Sequence, residues 1–297
     1  MSNQLRFLDP RILSKISGME LRARTVVEGF ISGLHRSPYR GFSAEFAEYR
    51  EYTPGDDTRF IDWKIYARSD RYYLKQFEEE TNLGCTILLD VSASMQYRSE
   101  GLTKLEYGAY TAASLGYLIF QQRDGVGLLT FDREIRQFIP SRNKRGHLLS
   151  ILRYLENLET GKETDIALPL HQIAERINKK GLIILISDLL DEPDAVLQGL
   201  QHFRFKGHDV IVFHVLDDTE LTFPFENTTK FIDLEGPTQY VAIPSLIRET
   251  YLKNLNAHLD YFKQECSRLR VDYHILNTSR PLDFALFSYL AFRSGKG

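Results

Sequence analysis

The chain has 297 residues, with 37 Lys and Arg against 40 Asp and Glu, a formal net charge of -3 and a hydrophobic share of 43%. That length holds one large or two smaller domains around an ordinary globular core. The near-balance of charge excludes the basic surface of a general nucleic-acid binder, and two cysteines, Cys85 and Cys266, are too few for a disulfide framework. The first ten residues lack the charged start and apolar core of a signal peptide. No apolar run approaches the ~18 residues of a membrane span. The expectation is a soluble, cytoplasmic protein.

In chain order, Asp9-Pro10 has the form of a helix start, and the pattern after Gly18 is ambiguous. Segments 42–52 and 71–80 alternate Tyr and Phe with charge, as exposed or edge strands do. Residues 1–83 are read as a subdomain with β character that packs on the remainder. From residue 84 strands and helices alternate. Strands are predicted at 84–89, 125–131, 181–186, 209–215 and 271–276, with 134–139 as the hairpin partner of the second. Helices are predicted at 104–122, 144–158, 166–178, 195–205, 245–270 and 283–292. The first of these carries Leu105, Ala109, Ala112, Leu115 and Ile119 at helical spacing, and the helix at 245–270 a stripe of Leu255, Leu259, Phe262, Cys266 and Leu269. Cys266 is thereby read as packing rather than reactive. Segment 221–240, with Pro224, Asn227, Gly236 and Pro237 among aromatic residues, reads as a β-hairpin excursion, within about 217–243, from the 84–297 domain.

Buried β-rich runs alternating with helices predict an α/β fold, a mostly parallel central sheet with helices on both faces. Such sheets bind ligands at the carboxyl ends of their strands. Asp90-Val91-Ser92-Ala93-Ser94 follows the first strand directly, and Asp188 follows the third. Thr164 lies in a loop before a helix. Asp90, Ser92, Ser94, Thr164 and Asp188 together offer two carboxylates and three hydroxyls. That oxygen-only set suits Mg²⁺ (or Mn²⁺), which keeps some waters and leaves a position open for an incoming acidic ligand. The pentapeptide alone is equally compatible with ordinary helix capping. The combination of three loops at one edge favours a metal.

Asp90-x-Ser92-x-Ser94, Thr164 and Asp188 resemble the metal-ion-dependent adhesion site of von Willebrand factor A-like domains. The run Gly55-Asp56-Asp57-Thr58-Arg59-Phe60-Ile61-Asp62-Trp63, then Ala67-Arg68 and Lys75-Gln76-Phe77-Glu78-Glu79-Glu80, is similar to the family called "domain of unknown function 58". Ile186-Ser187-Asp188-Leu189-Leu190-Asp191 and His208-Asp209-Val210 fit it as well. The resemblance implies a von Willebrand A-like binding module rather than an enzyme. It also implies partnership with a MoxR-type AAA+ ATPase in chaperone-like maturation or assembly of client proteins in bacteria. Residues 55–63 read either as a second ligand site or, preferably, as an ion-pair and aromatic clasp between the two parts of the chain.

The chain lacks a phosphate loop with its Gly-Lys-Ser/Thr ending, and it lacks His-Glu-x-x-His and Cys-x-x-Cys. His171, near Thr164, is the one histidine worth following. Two alternatives remain. One is a metal-dependent phosphohydrolase with Asp90 as nucleophile, although the position of its second carboxylate holds Ser92. The other is a binding module that uses the 221–240 hairpin while the metal site is degenerate.

Overall fold

The structure, a computed structural model, describes residues 18–34, 49–51, 72–75, 84–161, 166–234 and 238–294. Its centre is a six-stranded sheet in the order β10-β7-β6-β3-β4-β5. These strands are β3 (Gly84–Asp90), β4 (Gly125–Phe131), β5 (Ile135–Arg142), β6 (Gly181–Ser187), β7 (Asp209–Leu216) and β10 (Asp272–Asn277). All neighbours are parallel except β5, which returns antiparallel on the edge beside β4. Strands β3, β6 and β7 are apolar along nearly their whole length because both of their faces are covered.

Alternation along the strands divides the core in two. Ile87, Leu89, Ile184, Ile186 and Phe213 face one side, where they meet α1 (Met19–Leu34), α2 (Lys104–Gln121), α3 (Arg145–Glu156) and α8 (Asp283–Ser294). Leu88, Leu129, Ile183, Leu185 and Val212 face the other, against α4 (Ala167–Arg176), α5 (Pro193–Phe205) and α7 (Pro244–Arg268). The predicted α/β architecture with helices on both faces is therefore the observed one, and each helix predicted from residue 104 onward is present.

Helix α1 fills the stretch where the sequence pattern is ambiguous. Met19, Ala23, Val26, Val27 and Phe30 recur at helical spacing and join the core shared with α2. The β character expected in this region is present as a two-stranded antiparallel pair, β1 (Tyr49–Glu51) and β2 (Tyr73–Lys75). Residues 55–63 and the helix start at Asp9-Pro10 lie outside the described residues. The hairpin excursion consists of a one-turn helix α6 (Asp218–Thr222), then β8 (Thr229–Ile232) paired antiparallel with β9 (Gln239–Ala242). On α7, Leu259, Phe262 and Cys266 are buried as the stripe predicts. Burial pushes the Cys266 thiol up to about 12, so it stays protonated packing material.

Helix α2 packs closely on the sheet. Thr103 opens it with a capping box: its side chain accepts from the Glu106 N–H, and its own N–H donates to Glu106 Oε2 at 2.8 Å. One turn in, Gly108 lies so close to the sheet that a Cβ there would sit 3.1 Å from Leu89 Cδ1 and 3.3 Å from Ile186 Cγ2. Lys104 is four residues before Gly108 and so shares its inward face.

Candidate metal centre

Strands β3 and β6 are adjacent and parallel, so their carboxyl ends deliver Asp90 and Asp188 to one edge. Asp90, Ser92 and Asp188 are fully buried and Ser94 nearly so. Asp90 Oδ1 accepts the Ser92 N–H at 2.9 Å, which turns the chain so that Ser92 and Ser94 face each other with their hydroxyl oxygens 3.0 Å apart. Ser92 precedes a single 3₁₀ turn, Ala93–Gln96, but its side chain makes no capping hydrogen bond. The capping alternative for the pentapeptide therefore fails at Ser92.

Ser187, the last residue of β6, donates its hydroxyl to Asp90 Oδ2 at 2.6 Å and accepts the Leu189 N–H at 3.0 Å. Leu189 is buried with φ 50, in the left-handed region that a γ-branched side chain seldom adopts. The backbone beside Asp188 is thus strained, and packing holds it in place. Burial first, and the nearby Asp188 carboxylate second, push Asp90 up to about 7 despite the hydrogen bonds from Ser187 and Ser92.

Thr164 lies outside the described residues, but both flanks of its loop are tied to this edge. The Gly161 N–H donates to the Val91 carbonyl at 2.6 Å, and the Ile166 N–H donates to Asp191 Oδ2 at 2.7 Å. A Cβ on Gly161 would fall 1.9 Å from Asp132 Oδ2, so only glycine permits this approach. His171 is not part of the site; its Nδ1 lies 3.1 Å from Nδ1 of His202 on α5.

Two residues that the sequence reading passed over complete the edge. Lys104 Nζ lies 2.8 Å from Asp188 Oδ2 and 2.9 Å from Glu220 Oε1, with its own side chain 1% exposed. Burial works against its charge, but Asp188 and Glu220 outweigh that and raise its pKa. Glu220 belongs to α6 and is held there by a second capping box, its Oε2 accepting the Asp217 N–H at 2.7 Å. The signal for Lys104 was present in the sequence. Positions 104, 108, 112, 115 and 119 form one helical stripe, and a lysine in phase with an apolar stripe needs a buried partner.

The donor chemistry fits a divalent cation. Two carboxylates, those of Asp188 and Glu220, share the one ammonium of Lys104, and the nearby Asp90 carboxyl is raised by burial first and by Asp188 second. Among the described residues no group of three or more His, Cys, Asp or Glu is arranged to hold a metal. Any metal here would therefore depend on hydroxyls and water, as Mg²⁺ accepts and Zn²⁺ does not. A pocket at the same edge is lined by the polar Ser94, Lys104 and Glu220 and by the apolar Leu190, Ile232 and Leu234.

A mostly parallel sheet with helices on both faces, and buried Asp and Ser oxygens gathered at its carboxyl edge, defines an α/β domain with a candidate site where such sheets bind ligands. Residues 48–260 match the family described as "Protein of unknown function DUF58", and the chain belongs to it. An uncharacterized protein of Mycobacterium tuberculosis is 24% identical over 254 residues, covering 84% of this chain and 80% of that protein. Among solved structures, the conserved hypothetical protein BatB from Bacteroides thetaiotaomicron is similar with a TM-score of 0.50 at 19% identity, over 72% of this chain and 100% of that one. An aerotolerance-related membrane protein from Bacteroides fragilis has a TM-score of 0.50 at 17% identity, over 71% of this chain and 99% of that one. Among the described residues of the present chain, no helix is long and apolar enough to cross a membrane.

Proposed function

We propose that this protein is a cation-dependent protein-binding module. Asp90, Ser92, Ser94, Thr164 and Asp188 would hold Mg²⁺ (or Mn²⁺), and the bound ion would offer an open position to an acidic side chain of a protein partner. The observation that carries the reading is the burial of Asp90 and Asp188 beside two facing serine hydroxyls, with more carboxylates than resident cations. The family resemblance makes a MoxR-type AAA+ ATPase, its client, or both, the partner to test. Von Willebrand A-like folds generally serve protein interaction without catalysis. Consistent with binding rather than turnover, the position two residues after Asp90 holds a hydroxyl, where a phosphohydrolase needs a second carboxylate.

A second feature favours protein contact at this edge. Ile232, Leu234, Tyr240, Val241 and Leu246, on the hairpin and the start of α7, are exposed large apolar side chains, with Val241 at 70% and Leu246 at 76%. They fall within one short stretch of the chain, and two of them, Ile232 and Leu234, line the pocket that reaches Ser94. Clustered exposure of this kind marks interfaces more often than isolated apolar residues do. The hairpin would supply contact area and the cation would supply direction.

Calorimetric titration of Mg²⁺ into wild type and Asp90→Ala tests the cation. Saturable heat is expected from wild type and none from the variant, and equal heats from both would overturn the reading. The partner claim is tested by binding of a purified MoxR-type ATPase with and without EDTA, where binding indifferent to EDTA would remove the metal from the interface.

A further inference from the structure

Lys104 is the charged group at this edge that cation binding does not explain. An ammonium with no exposed surface survives folding only when carboxylates replace its water. Here two do so, and one of them, Asp188, is itself a candidate metal ligand. The same carboxylate is thus claimed by two cations. A lysine ammonium and a divalent ion cannot both remain at contact distance from Asp188 without strong mutual repulsion in so dry a place.

The geometry also provides the ammonium with somewhere to stay. Glu220 Oε1 lies 2.9 Å from Nζ, and Glu220, on α6 rather than on the sheet, is fixed by its bond from the Asp217 N–H. Asp217 is in turn anchored by the Ser99 and Thr219 N–H groups. The Tyr97 ring lies 5.8 Å from the ammonium, within the range of a cation–π contact. An ammonium released from Asp188 would therefore keep a carboxylate and an aromatic face, with no need to reach water.

We infer that Lys104 is the resident counter-cation of the site and that a divalent metal exchanges with it at Asp188, leaving the ammonium on Glu220. This rests on the metal reading proposed above. The metal-free site is then held closed by the chain's own charge. Metal affinity is set by the difference between two cations on one carboxylate, not by the oxygen donors alone. Metal entry is coupled to α6, the short helix that carries Glu220 and leads into the exposed hairpin.

The test uses Mg²⁺ alone on the full chain, with wild type and Lys104→Met compared by calorimetry and by thermal melting with Mg²⁺ or EDTA. Lys104→Met is expected to bind Mg²⁺ about tenfold tighter or more. It should melt below wild type in EDTA and recover more than wild type when Mg²⁺ is added. Because that variant removes a cation from between buried carboxylates and can fail to fold, a second readout is taken on wild type. The buried ammonium should give a resolved ¹H–¹⁵N signal in EDTA that shifts with the same midpoint as the calorimetric heat. Mg²⁺ binding to Lys104→Met no tighter than to wild type, or an ammonium signal unmoved at saturating Mg²⁺, overturns the exchange and leaves the metal site standing. Absence of Mg²⁺ heat from both proteins overturns the metal site itself.

Discussion

In metal-free buffer above about pH 7, Asp90→Asn is expected to be more stable than wild type by about 1–3 kcal/mol, even though it removes a proposed metal ligand. The folded protein raises the Asp90 carboxyl from 3.8 to about 7, chiefly by burial and then by the nearby Asp188. Above that value the carboxylate is ionised in both states, and the folded state bears the whole penalty of holding it. Between the two values the folded state retains a proton that the unfolded chain has lost. The penalty therefore shrinks as pH falls through the interval and is gone below it. An asparagine amide does not ionise. It can accept the Ser92 N–H, which now bonds Asp90 Oδ1, but its Nδ2 replaces the oxygen that accepts the Ser187 hydroxyl. Losing part of the present hydrogen bonding keeps the gain below the full linkage value. Urea denaturation of both proteins in EDTA measures the difference, and an Asp90→Asn variant no more stable than wild type above pH 7 would contradict it. The result would mark Asp90 as a residue whose cost to stability is retained for binding.

The second large effect has the opposite sign in the same pH range. His214 on β7 is fully buried beside Ser187, with Nδ1 2.6 Å from the Tyr273 hydroxyl. Burial lowers its pKa from 6.5 to about 3. Its contribution to stability is fully present above 6.5 and is lost as pH falls toward the folded value, because the unfolded chain takes up the proton first. Linkage puts that loss at roughly 3 kcal/mol by about pH 4. His208, His258 and His274 are lowered by burial too and add in the same direction. His214→Phe keeps a ring against Phe262 and gives up the bond to Tyr273, at about 1 kcal/mol near neutral pH. It should lose less stability than wild type between about pH 6.5 and pH 4, while Asp90→Asn should lose more, since its opposing contribution is gone. Parallel slopes for wild type and His214→Phe would show that His214 does not set the acid limit.

The parts of the fold legible in the sequence are those governed by local period. Strands such as β6 and β7 are unbroken apolar runs, and helices such as α5 and α7 keep one apolar stripe, so pattern alone places them. Helix α1 was missed because its Thr25-Val26-Val27 run has strand character, and only packing against α2 and α3 selects the helix. The one-turn α6 is too short to have a period. It exists because Asp217 and Glu220 cap each other and Lys104 holds Glu220 from across the fold.

By itself the sequence determined the α/β class, the strands whose carboxyl ends deliver Asp90 and Asp188, and the serines spaced to face one another. Each of these follows from residues within a few positions of one another, where the chain's own geometry decides the outcome. Only the tertiary structure decided what surrounds the carboxylates. Lys104 and Asp188 are 84 positions apart, and Lys104 and Glu220 are 116. Burial, the raised Asp90 carboxyl and the pairing of one ammonium with two acids arise when distant elements exclude water together. Electrostatic strength depends on that exclusion, and no local pattern encodes it.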